Sequence, residues 1–290
     1  MEKVNSVESI NFSYVTNQGD GAVNEDIGHV LYNYAWVIDG ATPLHHKQVF
    51  SKDSDAKWLS EALHDALIMT ILSLKPNDST YSLKEILHRA IKVVQQKEEV
   101  HPSNRSLPAY QQPSCVIAMV RKQDDKMDYL MLGDCSLVYT DEEEVHVKTD
   151  DRIEPLARKT IKVFRQTQSM NAPDEEKQAR LKKQLVANKS YMNQPNGYWV
   201  VTIDGKGIDA SITGQIQSHS MKSVLLCSDG FSRIVDLFNH LSWSSILNGH
   251  VTIQQAVNDI RALELQDKHK TQYPRIKQSD DATAVYINFR

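Results

Sequence analysis

"YAWVIDGATPL", residues 34–44, carries an apolar run straight into an aspartate and a glycine, Asp39-Gly40. An Asp-Gly pair is a strong short hairpin signal, so a turn is one reading. A carboxylate fixed at a strand end can also hold a metal ion. The chain supplies a control: "WVVTIDGKG" ends at Asp204-Gly205 in nearly the same words, but Gly207 and the resuming Ile208 make a hairpin turn the simpler expectation there. What separates the two is the number of other strands that end on an acid.

Outward from this stretch, "INFSYVT" (10–16) and "YAWVIDG" read as strands joined by the Gly-, Asn- and Asp-rich loop "NQGDGAVNEDIG". Two helical patterns follow. Leu59, Leu63, Ala66, Leu67 and Ile71 recur at three and four, as do Leu83, Ile86, Leu87, Ala90, Ile91 and Val94, and Ser82 with Glu85 has the form of a capping box. From residue 114 the period shortens. "SCVIAMV", "MDYLMLGDCSLVYT" and "EEVHVKT" predict an antiparallel meander, and residues 150–196 a charged helical insert. Strands resume with "GYWVVTIDGKG", "SVLLCSDG" and "ATAVYINF", with helices between the last two around "SRIVDLFNHLSWSSIL" and "TIQQAVNDIRALEL". Strands in blocks with paired helices, without regular βαβ alternation, predict an α+β sandwich of stacked antiparallel sheets flanked by helices. No internal repeat or low-complexity linker divides the 290 residues, so a single domain spanning 1–290 is expected.

Composition narrows the function classes. The chain is 40% hydrophobic and 24% charged with a net charge of −4, which argues against a nucleic-acid binder. No run approaches the roughly 18 apolar residues of a membrane span, and "MEKVNSVESINF" lacks the regions of a signal peptide, so a cytoplasmic protein is expected. Cys115, Cys135 and Cys227 sit apart inside apolar stretches and read as reduced core residues.

Acids stand at or beside the ends of several apolar strands: Glu25-Asp26 in "NED", Asp39, Asp134 in "MLGDCS", Asp229 in "LLCSDG", and Asp280-Asp281 in "QSDDATAVYINF". Brought together, such carboxylates repel one another unless a cation neutralises them. Oxygen ligands without a Cys or His cluster favour Mg²⁺ or Mn²⁺ over zinc. Two such ions about 3.5 to 4 Å apart activate a water and clamp a phosphoryl oxygen, which is the chemistry of phosphoester hydrolysis.

In this order, "NED", "VIDG", "GDCS", "LLCSDGF" and "DDATAVYI" resemble the motifs of the metal-dependent type 2C (PPM) protein serine/threonine phosphatases, in a divergent member of the bacterial type. The likeness spans residues 10–289. It implies a four-layer α-β-β-α sandwich, two antiparallel sheets flanked by antiparallel helix pairs. It also implies hydrolysis of phosphoserine and phosphothreonine in proteins by a water activated between two divalent ions. By the resemblance, Asp39 bridges the ions and the Gly40 carbonyl binds the second; Asp229 and Asp280 complete the first. Glu25, with Asp26 beside it, serves the second, Asp281 supports the ligands, and Asp134 helps hold a weaker third ion. The insert at 150–196 falls where relatives carry a variable flap, which makes it the candidate for substrate selection.

The chain departs from the pattern twice. Many relatives have a phosphate-gripping arginine where this chain has Gly21, and often an aspartate where it has Arg233. A cation at 233 opposes a third metal, so two ions are expected. Arg233 is also the candidate for the missing phosphate contact. His45-His46 could act as a general acid on the leaving oxygen, whereas His64, His88 and His101 lack ligand spacing. Cys115 and Arg121 have the spacing of a cysteine-dependent phosphatase motif without its glycines. Trp58, Trp199 and Trp243 read as packing residues, and "TDEEEV" as a solvated turn. Two alternatives remain beside the protein phosphatase: a non-catalytic binding module of the same fold, and a small-molecule phosphohydrolase.

Overall fold

A computed structural model of the chain describes residues 11–41, 44, 49–75, 79–101, 107–142, 144–218 and 221–289. His45 and His46 lie outside the described residues. The strands are β1 (Asn11–Asn17), β2 (Ile27–Leu31), β3 (Tyr34–Ala41), β4 (Ser114–Gln123), β5 (Lys126–Leu132), β6 (Ser136–Asp141), β7 (Glu144–Lys148), β8 (Val201–Thr202), β9 (Ile212–Gln217), β10 (Ser223–Cys227) and β11 (Ala282–Asn288). The helices are α1 (Asp55–Leu72), α2 (Leu83–Val94), α3 (Glu154–Gln168), α4 (Asp174–Lys189), α5 (Asp229–Asp236), α6 (Trp243–Leu247) and α7 (Ile253–Gln266).

All strand pairings are antiparallel. One sheet runs β1-β11-β10-β6-β7 and the other β2-β3-β4-β5-β9, with β8 paired to the start of β4. Side chains alternate between the two faces of each strand, and here both faces are covered, which is why β3, β4 and β10 read as continuous apolar runs. Trp36 and Ile38 of β3, with Ile117 and Met119 of β4, pack under α1 and α2 on Leu59, Leu63, Ile86 and Leu87. Ala35 and Val37 point the other way, into the space between the sheets, where they meet Ala118, Val224, Leu226 and Val285. Leu225 and Cys227 face outward against Phe231, Ile246, Val257 and Ile260 beneath α5, α6 and α7. The result is an α+β sandwich, helices outside and two sheets within.

Local signals behave as the sequence predicts in several places. Ser82 and Glu85 form the capping box of α2, and all three cysteines are buried free thiols. Trp58 stacks on Phe50. Three expectations need correction. The run from 114 is not one meander, because β4-β5 belongs to one sheet and β6-β7 to the other; the chain changes sheets at Gly133-Asp134. Asp204 makes a turn, its Oδ1 accepting from Thr202 Oγ1 (2.6 Å) and the Lys206 N–H (3.2 Å), but no hairpin: β8 pairs with β4 and β9 with β5. Strands β2 and β9 were not foreseen. In β2 every residue is half-buried, and β9 is a mostly exposed edge strand, so neither carries an apolar alternation.

Among the described residues no helix is long and apolar enough to cross a membrane.

Candidate active site

Alternation along β3 decides where Asp39 points. Ile38 packs under the helices, so Asp39 faces the space between the sheets, at the end of the sandwich and opposite Val116 of β4. The other acids reach this end from different connections. Asp26 precedes β2, Asp134 lies at the crossing from β5 to β6, Asp229 opens α5 directly after β10, and Asp280-Asp281 lead into β11. Strands β10 and β11 pair side by side. That pairing is extended by Ser228, whose N–H donates to the Thr283 carbonyl at 3.0 Å while its Oγ accepts from the Thr283 N–H at 3.0 Å. Gly230 follows because nothing larger fits: a Cβ there would stand 1.9 Å from the Asp281 carbonyl oxygen. Gly40 is likewise closed in, with Glu25 and Ser60 atoms 2.9 Å from where a Cβ would sit.

The carboxylates act on one another. Desolvation pushes Asp39 well above the usual carboxylate range, and the charges of Asp26, Asp229, Asp280 and Asp134 push it further. Desolvation, with Asp281, Asp229 and Asp280 adding, drives Asp26 up to about 8 although the Ser228 hydroxyl bonds to it. Asp134 rises to about 7 through desolvation and the charge of Asp229. Desolvation and Asp280 raise Asp229, whose carboxyl shares a hydrogen bond with Asp39. Five acids that sequence places up to 254 positions apart therefore share one electrostatic site. Asp26 keeps a buried Oδ2 without a partner.

Asp280 differs. Desolvation acts to raise it, but two cations overturn this and hold it below the usual range. Lys277 Nζ donates to its Oδ1 at 2.6 Å and Arg233 to its Oδ2 at 2.6 Å. Arg233 is 13% exposed and also pairs with Glu264 at 3.4 Å; Arg261 grips the other Glu264 oxygen at 2.7 Å and the Asp280 carbonyl at 2.8 Å. Arg233 thus points toward the acids, with its guanidinium between two carboxylates. Among the described residues, no three His, Cys, Asp or Glu side chains form a ready-made metal cage.

Supporting groups complete the arrangement. Asp281 uses both oxygens on backbone donors, Gly19 N–H at 2.8 Å and Glu25 N–H at 2.7 Å, which ties the loop before β2 to β11. Ser54 caps α1 by accepting from the Ala56 and Lys57 N–H groups while its hydroxyl donates to Glu25 Oε1. Asp150 accepts from the Gly133 N–H at 3.2 Å and pairs with Arg152, fixing the turn that carries Asp134. Beyond β7, α3 and α4 pack on each other, and the segment after α4 returns beside the acids. Burial lowers Lys189 to about 8 against the opposing charge of Glu25, and burial with the charge of Asp134 raises Tyr198.

A family profile described as Protein phosphatase 2C matches residues 16–267. The chain belongs to the protein phosphatase 2C family. Solved phosphatase structures have the same fold. Serine/threonine phosphatase Stp1 from Staphylococcus aureus is 16% identical with a TM-score of 0.58, covering 97% of this chain and 95% of that one. The catalytic domain of the serine/threonine phosphatase PstP, in complex with 2 manganese ions, is 13% identical with a TM-score of 0.57 over 96% and 97%. PppA, a regulatory component of T6SS in Pseudomonas aeruginosa, is 15% identical with a TM-score of 0.56 over 97% and 98%. A search of curated protein sequences returned no match.

In this phosphatase 2C chain, sequence reasoning named Glu25, Asp26, Asp39, Gly40, Asp134, Asp229, Asp280 and Arg233, and the fold brings them to one end of the sandwich. It did not find Ser54, Ser228, Lys277 or Lys189. Only Lys277 had a local signal, three residues before Asp280. His64 accepts from the Trp36 indole N–H at 3.3 Å and His88 bonds to Asp209 at 2.8 Å, so both have structural partners. Cys115 is buried in β4, where burial pushes its thiol above the usual range, the reverse of what a nucleophile needs.

Proposed function

We propose that this chain is a phosphoprotein phosphatase that hydrolyses phosphoserine and phosphothreonine with two divalent ions of the Mg²⁺ or Mn²⁺ kind. The observation that carries the reading is the carboxylate cluster. Asp26, Asp39, Asp134 and Asp229 are all held above their ordinary range by desolvation and mutual charge, and Asp26 Oδ2 has no partner. An all-oxygen donor set with uncompensated charge fits a hard divalent cation. When bound, such ions supply an activated water and positive charge for the phosphoryl oxygens.

The chain's own groups would divide the work as follows. Asp39, Asp229 and Asp280 would hold one ion, and Asp39, the Gly40 carbonyl and Glu25, with Asp26, would hold the other, with Asp134 a further carboxylate available to them. Ser54 and Asp281 hold Glu25 in place before any ligand arrives. Arg233 and Lys277 keep Asp280 ionised, which makes Arg233 a partner of Asp280 in this reading and leaves the phosphate contact missing at Gly21 to another group. The helical pair α3 and α4, within the segment 150–196, is the flap-like part of the single domain and selects the phosphorylated protein substrate.

A second reading has its own observation. Both Asp280 oxygens are already paired with cations and position 21 offers none, as a non-catalytic binding module would tolerate. Hydrolysis of p-nitrophenyl phosphate with Mn²⁺ separates the two. The wild-type chain is expected to turn over, and Asp39→Asn to lose roughly 100-fold or more. Equal rates in the two proteins, or none in wild type, would sink the enzymatic reading. Comparing a phosphoprotein with a panel of phosphorylated metabolites then separates a protein phosphatase from a small-molecule phosphohydrolase.

A further inference from the structure

The cations around the acids are nearly all committed: Arg233 and Lys277 to Asp280, Arg261 to Glu264. Lys189 is not. It is the last residue of α4, 8% exposed, and its Nζ is closed to solvent with no hydrogen-bond acceptor. Among the described residues it is the one side-chain cation left in that condition. An ammonium kept from both water and an acceptor is costly, and its place in a folded protein calls for an explanation, of which a catalytic or ligand-binding role is one.

Its surroundings point to the same end of the sandwich. The chain after Lys189 is pinned down, with Met192 and Tyr198 packed into the core between the sheets and Asn193 bonded to the Val200 N–H at 2.9 Å and to Thr202 Oγ1 at 3.0 Å. On one side the charge that acts on Lys189 is Glu25; a few residues on, Tyr198 feels Asp134. The Glu25 carboxylate already accepts from Ser54, and its backbone abuts Gly40. The amine is thus a donor without an acceptor beside the carboxylate cluster, on a chain whose loop at Gly21 lacks a cation.

We propose that Lys189 is the cation that receives the substrate's phosphoryl group. This deepens the phosphatase reading above and rests on it for the identity of the ligand. A phosphoryl dianion offers three acceptor oxygens to an ammonium with three donors, a charge-assisted pairing that displaces no existing partner of Lys189. Nζ is covered in the free protein and the chain after it is held in place, so the contact forms by movement of the Lys189 side chain itself toward the incoming oxygen.

Inorganic phosphate, titrated calorimetrically into the Mn²⁺-saturated full chain, tests this with Lys189→Met and Lys189→Arg beside wild type. The Met variant is expected to bind phosphate about tenfold more weakly, with KM for p-nitrophenyl phosphate rising more than kcat falls, and the Arg variant to recover most of the affinity. The Met variant should melt at or above the wild-type temperature, since it removes an unpaired buried charge. Unchanged phosphate affinity in Lys189→Met, with or without a lowered melting temperature, overturns the inference; so does a wild-type chain that binds no phosphate. A wild type that binds phosphate through Lys189 yet hydrolyses nothing would sink the enzymatic reading and leave the Lys189 contact standing.

Discussion

Asp39→Asn should strengthen the metal-free protein while removing its activity. In the absence of ions the native chain holds Asp26 at about 8 and Asp134 at about 7, against an ordinary value of 3.8, and Asp39 well above that value. Between pH 4 and 8 the folded protein therefore binds more protons than the unfolded chain. Stability falls as pH rises wherever that holds, by up to about 1.4 kcal/mol per pH unit for each group. Carried alone from its ordinary value to about 8, Asp26 would account for at most ~6 kcal/mol. Desolvation and the charges of its neighbours keep Asp39 protonated in the fold, so a neutral asparagine there removes the need to take up that proton on folding and should return a part of this, about 2 kcal/mol at pH 8. For a chain of this size that is a rise of roughly 4 °C in melting temperature. Melting in EDTA at pH 5 and pH 8 reads both effects. Wild type should melt lower at pH 8 than at pH 5, and Asp39→Asn should melt above wild type at pH 8. Saturating Mn²⁺ should reverse the order, because binding at 100 times Kd stabilises wild type by about 2.7 kcal/mol. An asparagine variant that melts at or below wild type at pH 8 without metal would refute the shared-charge account. So would a wild type that gains stability from pH 5 to 8.

Arg233→Ala removes a partner from both Asp280 and Glu264, while Lys277 and Arg261 remain; the expected loss is about 2 kcal/mol without metal. Mn²⁺ affinity measured by calorimetry should increase, since a competing cation has gone; weaker binding would contradict the pairing. Gly230→Ala forces the start of α5 off the Asp281 carbonyl and should cost about 1–3 kcal/mol, read by urea unfolding. Arg275→Ala strands Asp267, which also accepts from the Thr271, Gln272 and Tyr273 N–H groups. The pair is 3% and 6% exposed, so a loss of about 3–5 kcal/mol is expected by chemical denaturation.

The strand ends and the acids on them were legible in the sequence because both depend on neighbouring residues. Apolar runs covered on two faces announce β3, β4, β10 and β11; period-3.6 faces and the Ser82-Glu85 box announce α1 and α2; and an acid after such a run stands out. Edge strands escaped notice because β9 meets solvent and β2 is half-buried throughout, which erases the alternation that marks a strand. The change of sheet at Gly133-Asp134 was hidden as well, since a hairpin and a crossing use similar turn residues.

Convergence itself was beyond the sequence. That Asp39 shares a hydrogen bond with Asp229, that Arg233 faces Asp280 and Glu264, and that Lys189 ends beside Glu25 without a partner are relations between residues far apart in the chain. Local sequence decides which group each position carries and which way a strand turns it. Only packing of the two sheets decides which charges come close enough to feel one another, because Coulomb energy and desolvation depend on distance in space.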